Sequence, residues 1–171
     1  MTDVAPFQGT IFGDEHSELA REFFRAARRV GSTLTGELLS TDTTWEIPID
    51  GSAPDWLQRM LTDINRVARL GPNWDSYGAL PLSWEAAVNG VELLDAVSFR
   101  GPAPLVSPTP DGGLSLEWKA QGLGVEVEVS ATGDVVVLVD EGGHMLEWTT
   151  SVGWDDRFAG ALKQISEAFA A

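Results

Sequence analysis

The sequence predicts a single α+β domain spanning residues 1–171, built on an antiparallel β-meander over about residues 114–150, with an N-terminal β-hairpin and about four helices. Three observations predict it. Between Leu114 and Thr150 apolar and polar residues alternate: Leu114, Leu116 and Trp118; Val125, Val127 and Val129; Val135, Val137 and Val139; then Leu146 and Trp148. A period of two places each set on one face of a strand. The connectors Ala131-Thr132-Gly133-Asp134 and Glu141-Gly142-Gly143 are short and glycine-containing, as hairpins require. Elsewhere apolar residues recur at helical spacing in four separate segments.

Length and composition bound the possibilities. A chain of 171 residues buries one core, and its 43% hydrophobic content with seven Trp suits a packed globule. The absence of cysteine excludes disulfides, thiolate catalysis and cysteine-based metal sites. No apolar run reaches the length of a membrane span, and the start lacks a basic region followed by an apolar one, so the expected location is cytoplasmic, away from membranes. The formal charge of −15 is uneven. Residues 1–70 hold 11 acids against 7 Arg, and residues 71–171 hold 15 acids against 4 bases. Such a balance repels nucleic acid and draws basic protein surfaces.

Taken in order, Met1 to Gly13 reads as a flexible arm. Asp14 or Ser17 caps a helix to about Val30, with Leu19, Phe23, Ala27 and Val30 as its apolar stripe. Arg21, Arg25, Arg28 and Arg29 gather on the same helix, either paired locally with Glu18 and Glu22 or presented to an acidic partner or a second copy, as in a homo-oligomer. Gly31 ends it. Ser32–Ser40 and Thr44–Ile49 read as a hairpin, with Pro48 placing the second strand at an edge. Ser52 and Asp55 resemble a capping box for a helix carrying Trp56, Leu57, Met60, Leu61, Ile64 and Ala68, stopped by Gly71-Pro72.

The stretch Asn73-Trp74-Asp75-Ser76-Tyr77-Gly78-Ala79 follows. It reads either as a corner setting the angle between two helices or as a recognition loop, because aromatics with polar neighbours suit binding surfaces. Ser83 caps the next helix, with Ala87, Val88, Val91, Leu94 and Val97 inward. Gly101 to Gly113, with four Pro and three Gly, reads as an extended connector. Asp155 and Asp156 open a last helix whose apolar face is Phe158, Leu162, Ile165 and Phe169.

The stretch Asn73–Ala79, together with Pro108-Thr109-Pro110-Asp111-Gly112-Gly113 and Leu116-Glu117-Trp118, resembles a group of small uncharacterised bacterial and mobile-element proteins. The resemblance covers about a third of the chain. It implies an accessory role in conflict between bacteria and mobile elements, and brings no activity, cofactor or catalytic residue. The first 70 residues carry no such resemblance.

Catalytic sets are thin. Only His16 and His144 could serve as imidazole bases, and no serine sits in a G-x-S-x-G elbow. Adjacent Asp155 and Asp156 do not converge as metal ligands, and no metal or other cofactor is expected. Glu126 and Glu128 share a face at about 7 Å, a spacing that falls in the inverting-glycosidase range, yet a flat exposed sheet offers no pocket for acid–base chemistry, and alternating Glu on a solvated face is commonplace. Those glutamates with Glu117, Asp140 and Glu147 also invite comparison with a DNA-like charge array. Val136 and Leu138 interrupt it, since they share that outer face and ask for cover, from the protein's own helices or from a partner. The own helices are the expectation.

The functional reading is a noncatalytic acidic protein-binding module that neutralises or assembles with a basic-surfaced partner, in the manner of an antitoxin, immunity protein or defence inhibitor. Its partner-binding candidates are Trp74, Asp75, Tyr77, Glu117, Glu126, Glu128, Val136 and Leu138. The alternatives are a small hydrolase using acidic residues and a structural subunit of a larger bacterial or phage complex.

Overall fold

The computed structural model describes residues 54–96, 99, 101–151 and 155–170, with the backbone alone for 95 and 96. Within them the elements run α1 (Asp55–Ala68), α2 (Trp84–Ala96), β1 (Leu105–Pro108), β2 (Leu114–Ala120), β3 (Leu123–Val129), β4 (Val135–Glu141), β5 (His144–Thr150) and α3 (Asp156–Ala170). The architecture is α+β: three helices and one antiparallel sheet in the order β1-β2-β3-β4-β5. The expected helix to Val30, the hairpin between Ser32 and Ile49 and the Arg21–Arg29 stripe lie outside the described residues.

Every strand pairs with its sequence neighbour, so the register follows directly from the short turns. Leu116 lies opposite Val127, Val127 opposite Val137, and Val137 opposite Trp148. This row belongs to the inner face, where the alternating apolar residues of the meander gather. Leu114, Leu116, Trp118, Val125, Val127, Val129, Val135, Val137 and Val139 are all buried. The helices cover this face, α1 over β1 and both α2 and α3 over β2 and β3. Met60, Leu61 and Ile64 come from α1, Val91, Leu93 and Leu94 from α2, and Phe158, Leu162 and Ile165 from α3. An aromatic chain ties α1 to the sheet. Trp56 meets Phe99 edge-on at 5.3 Å, Phe99 meets Trp118 at 5.7 Å, and the Trp118 indole N–H donates to the Pro102 carbonyl at 3.0 Å.

Several expectations change. Leu105–Pro108, read as connector, is a strand: Val106 opposite Leu116 joins the core, and Pro108 ends the strand on an edge, where a missing N–H breaks no ladder. The N-cap of α1 is Pro54, with no side-chain cap bond, so Asp55 lies inside the first turn instead of completing a capping box. On α2, Ala86 and Leu93 are buried beside the expected Ala87, Val91 and Leu94. Val88 is only half-buried, and Val97 lies outside the described residues. Trp148 is half-buried and packs against the edge of the core. Its indole N–H donates to Asp155 at 3.0 Å, and Arg157 lies over its ring at 4.7 Å. Phe169, at the end of α3, is exposed.

The outer face of the sheet bears on the expected cover of Val136 and Leu138, and the expected N-terminal helix lies outside the described residues. The described helices all pack on the inner side, so they do not supply the cover expected over Val136 and Leu138.

Candidate functional site

Register defines the outer face row by row. Leu105, Glu117, Glu126, Leu138 and Glu147 form the middle row across all five strands. Ser107, Ser115, Glu128, Val136 and Thr149 form the row toward the β1–β2 turn. Lys119, Gly124, Asp140 and Met145 form the row toward the opposite turns. Adjacent strands lie about 4.8 Å apart and alternate residues of one strand about 7 Å apart. Val136 and Leu138 thus make an apolar strip on β4, flanked by Glu126 and Glu128 on β3 and by Glu147 on β5. Both are half-buried, while Glu128 and Glu147 are exposed.

The carboxylates differ in their surroundings. Glu126 accepts a hydrogen bond from the Ser115 hydroxyl at 2.9 Å, and Glu117, directly opposite it on β2, pairs with Lys119. That pairing offsets the repulsion of two like charges placed face to face, and the Glu117 hydrogen bond raises the Lys119 pKa above its ordinary value. Asp140 accepts the N–H of Gly143 at 2.7 Å and so is spent on its own turn. No described residue pairs with Glu128 or Glu147. The face therefore carries one lysine among five acids, with its unpaired charge toward the β5 side.

The loop from Asn73 to Ala79 joins α1 to α2 and rests on the turns at the β1–β2 end of the sheet. Leu80 N–H donates to the Pro110 carbonyl and Ser83 N–H to that of Gly112, each at 2.9 Å. Within the loop the Asp75 carboxylate accepts the N–H groups of Tyr77 at 2.8 Å and Ala79 at 3.0 Å. Those bonds, that of Tyr77 first, hold its pKa below the ordinary value. The Asn73 side chain accepts Gly78 N–H at 2.8 Å, and Asn73 N–H closes the loop on the Ala79 carbonyl at 2.7 Å. Trp74 is half-buried, and its N–H donates to the Leu80 carbonyl at 3.1 Å, which ties the indole to the loop's own backbone. Tyr77 is 93% exposed. Asn73 and Ser76 take positive φ of 61° and 67°, a conformation held here by the loop's own hydrogen bonds.

The structure thus separates the eight candidate residues into two places. Glu117, Glu126, Glu128, Val136 and Leu138 share the outer face. Trp74, Asp75 and Tyr77 belong to the loop at one end of the sheet. Sequence reading missed Leu105 and Met145, which join the outer face and are 59% and 60% exposed. Leu105 was hidden by the proline-rich surroundings of β1. Met145 was legible from strand alternation once the Gly142-Gly143 turn was placed.

A depression of about 410 Å³ lies at the other end, lined by Lys119, Ala120, Gln121, Gly122, Leu123, Gly124, Asp140 and Gly142. Glu126 and Glu128 are outside it. Among the described residues no group of three or more His, Asp or Glu converges to hold a metal ion. No described helix is long and apolar enough to cross a membrane. Comparison with protein-family models, curated proteins and solved structures finds no match.

Proposed function

We propose that this protein is a noncatalytic, acidic protein-binding module that docks a basic-surfaced partner on the outer face of its sheet, neutralising that partner or assembling with it. One observation carries the reading: Val136 and Leu138 form an apolar strip between carboxylates on both neighbouring strands, and the described helices leave it uncovered. Charge alone gives weak, promiscuous association, whereas an apolar strip among charges supplies the desolvated centre that lasting complexes need. Tyr77 adds a second anchor on a loop already held in one shape, which reduces the ordering entropy of binding. An antitoxin, immunity protein or defence inhibitor fits this chemistry, and the resemblance of Asn73–Ala79 and Pro108–Gly113 to mobile-element proteins points the same way.

The test is capture of the partner from the native host, followed by association and dissociation kinetics. Glu126→Lys with Glu128→Lys should slow association, and the wild-type rate should fall as salt rises, because exposed charges are screened over about 8 Å at physiological ionic strength. Tyr77→Ala should speed dissociation. A partner indifferent to both changes, and bound instead through the Arg21–Arg29 segment, overturns the proposal.

A further inference from the structure

The edge of the sheet adds a specific mode of recognition to that reading, and rests on it. β5 is the last strand in the sheet, and among the described residues nothing pairs with its far side. Its turn has two residues, Gly142 and Gly143, with φ of 61° and 95°, and the flanking pair is Glu141 with His144. In such a hairpin the flanking residues exchange hydrogen bonds, and bonded and non-bonded pairs then alternate along the ladder. Leu146 and Trp148 therefore bond to β4. Met145, Glu147 and Thr149 turn their N–H and C=O groups off the open edge.

The two edges of the sheet are not alike. β1 has four residues and ends in Pro108, both of which blunt an edge. β5 has seven residues, no proline and no lysine, and its register runs unbroken from Thr150 to His144 without a bulge. Nor do its side chains close it off. Met145 on the outer face is 60% exposed and Leu146 on the inner face 55%. A long, regular, partly apolar edge of this kind is the template onto which an extended segment adds.

Charge selects the occupant. The outer side of the edge carries Glu147, with Asp140 beside Met145 and Glu126 and Glu128 farther in. A second copy would bring the same acidic face alongside and add its own charge of −15 to the repulsion. We infer that β5 receives an extended segment of a different protein by strand addition. In that segment lysine or arginine alternates with apolar residues: the cations lie over Glu147 and the outer face, and the apolar side chains lie beside Leu146. The backbone groups of Met145, Glu147 and Thr149 provide the main-chain bonds.

The experiment uses the full chain, labelled with nitrogen-15, and a capped peptide of the length of β5 that alternates lysine with valine. Amide exchange at Met145, Glu147 and Thr149 should slow on its addition. A peptide of equal composition with its lysines in one block should bind about tenfold more weakly, because its charges no longer share a face. Two further peptides carry N-methyl groups on the lysine or on the valine amides. One should bind about tenfold more weakly and the other should not, since only alternate amides of an added strand face β5. In the protein, Glu147→Pro removes one outward N–H while leaving the β4 ladder whole, and should weaken binding more than Glu147→Gln. Binding with unprotected β5 amides, or equal binding by the two methylated peptides, overturns strand addition and leaves the acidic face as the docking surface. No binding of either lysine peptide at low salt removes both.

Discussion

At Asp75 one carboxylate accepts the N–H groups of both Tyr77 and Ala79, so two of the bonds that shape the loop depend on the charge of a single group. Its pKa is lowered, which means the folded state binds the ionised form more tightly than the unfolded state does. The resulting support is complete above the ordinary value of 3.8 and disappears as the pH falls through the lowered one. Amide exchange at Tyr77 and Ala79 should therefore quicken in that acid window, and Asp75→Ala should show the same quickening at neutral pH. Tyr77→Ala should leave the unfolding free energy within about 0.5 kcal/mol, since a fully exposed side chain contributes little packing; a larger loss would mean that Tyr77 packs in solution. The prominence of this loop was legible from its aromatics and turn formers. The left-handed conformation of Ser76 was not, because serine has no preference for it and the surrounding hydrogen bonds impose it.

Among the elements, the meander was legible because burial on one face forces a period of two, and the valines of β3 and β4 write that period plainly. β1 was not, because Leu105-Val106-Ser107-Pro108 has no periodic length of its own and becomes a strand through its pairing with β2. On α2 the inward face was mistaken in part because apolar residues occur on most sides of that helix, with Ala86 and Leu93 buried as well as Ala87 and Leu94. Trp118 is the core residue on which the elements converge. Trp118→Ala should lower stability by about 3–5 kcal/mol in denaturant titration, as for other large-to-small core changes. The β3–β4 turn offers a second check. Gly133 has φ of +88°, its carbonyl accepts the Asn89 amide at 3.1 Å, and a Cβ there would collide with that amide. Gly133→Ala should lower stability by about 1–3 kcal/mol, whereas Gly142→Ala, with open space around it, should lose only the part due to backbone strain.

For the molecule as a whole, charge distribution and layer order decide what it meets. The acidic excess was readable by counting. That the described helices all fall on the inner face was not, because periodicity shows that β4 is apolar on both faces without showing on which side the helices fall. The charge also sets an expected exclusion: the purified protein should not be retained on duplex DNA even at low salt, where phosphate contacts are strongest. Hydrolysis of common ester, phosphate or glycoside substrates should likewise be absent, and any turnover lost on Glu126→Gln would reverse that expectation. At the other end of the β4–β5 hairpin, burial of Asp155 opposes ionisation, but bonds from Phe158 N–H, Thr150, Trp148 and Arg157 N–H outweigh it and lower the pKa. This carboxylate anchors the start of α3 to Trp148, so β5 is fixed on its β4 side, while among the described residues its other edge has no partner.

The nearest-neighbour order of the sheet has a consequence in time. No strand must wait for a distant segment: each turn closes only a few residues, and a loop of about ten residues closes in about 10–100 ns. The sheet can therefore zip in the order of synthesis, from β1 to β5, as the chain leaves the ribosome at about 5–20 residues per second. Each strand in turn becomes the growing edge, and β5 is where that growth stops. A nascent chain halted after Glu141 would present β4 in its place, with Val135, Val137 and Val139 unroofed on one side and Val136 and Leu138 on the other. Pairing of β5 thus satisfies the backbone edge of β4, and α3, which emerges last, completes the inner core with Phe158, Leu162 and Ile165.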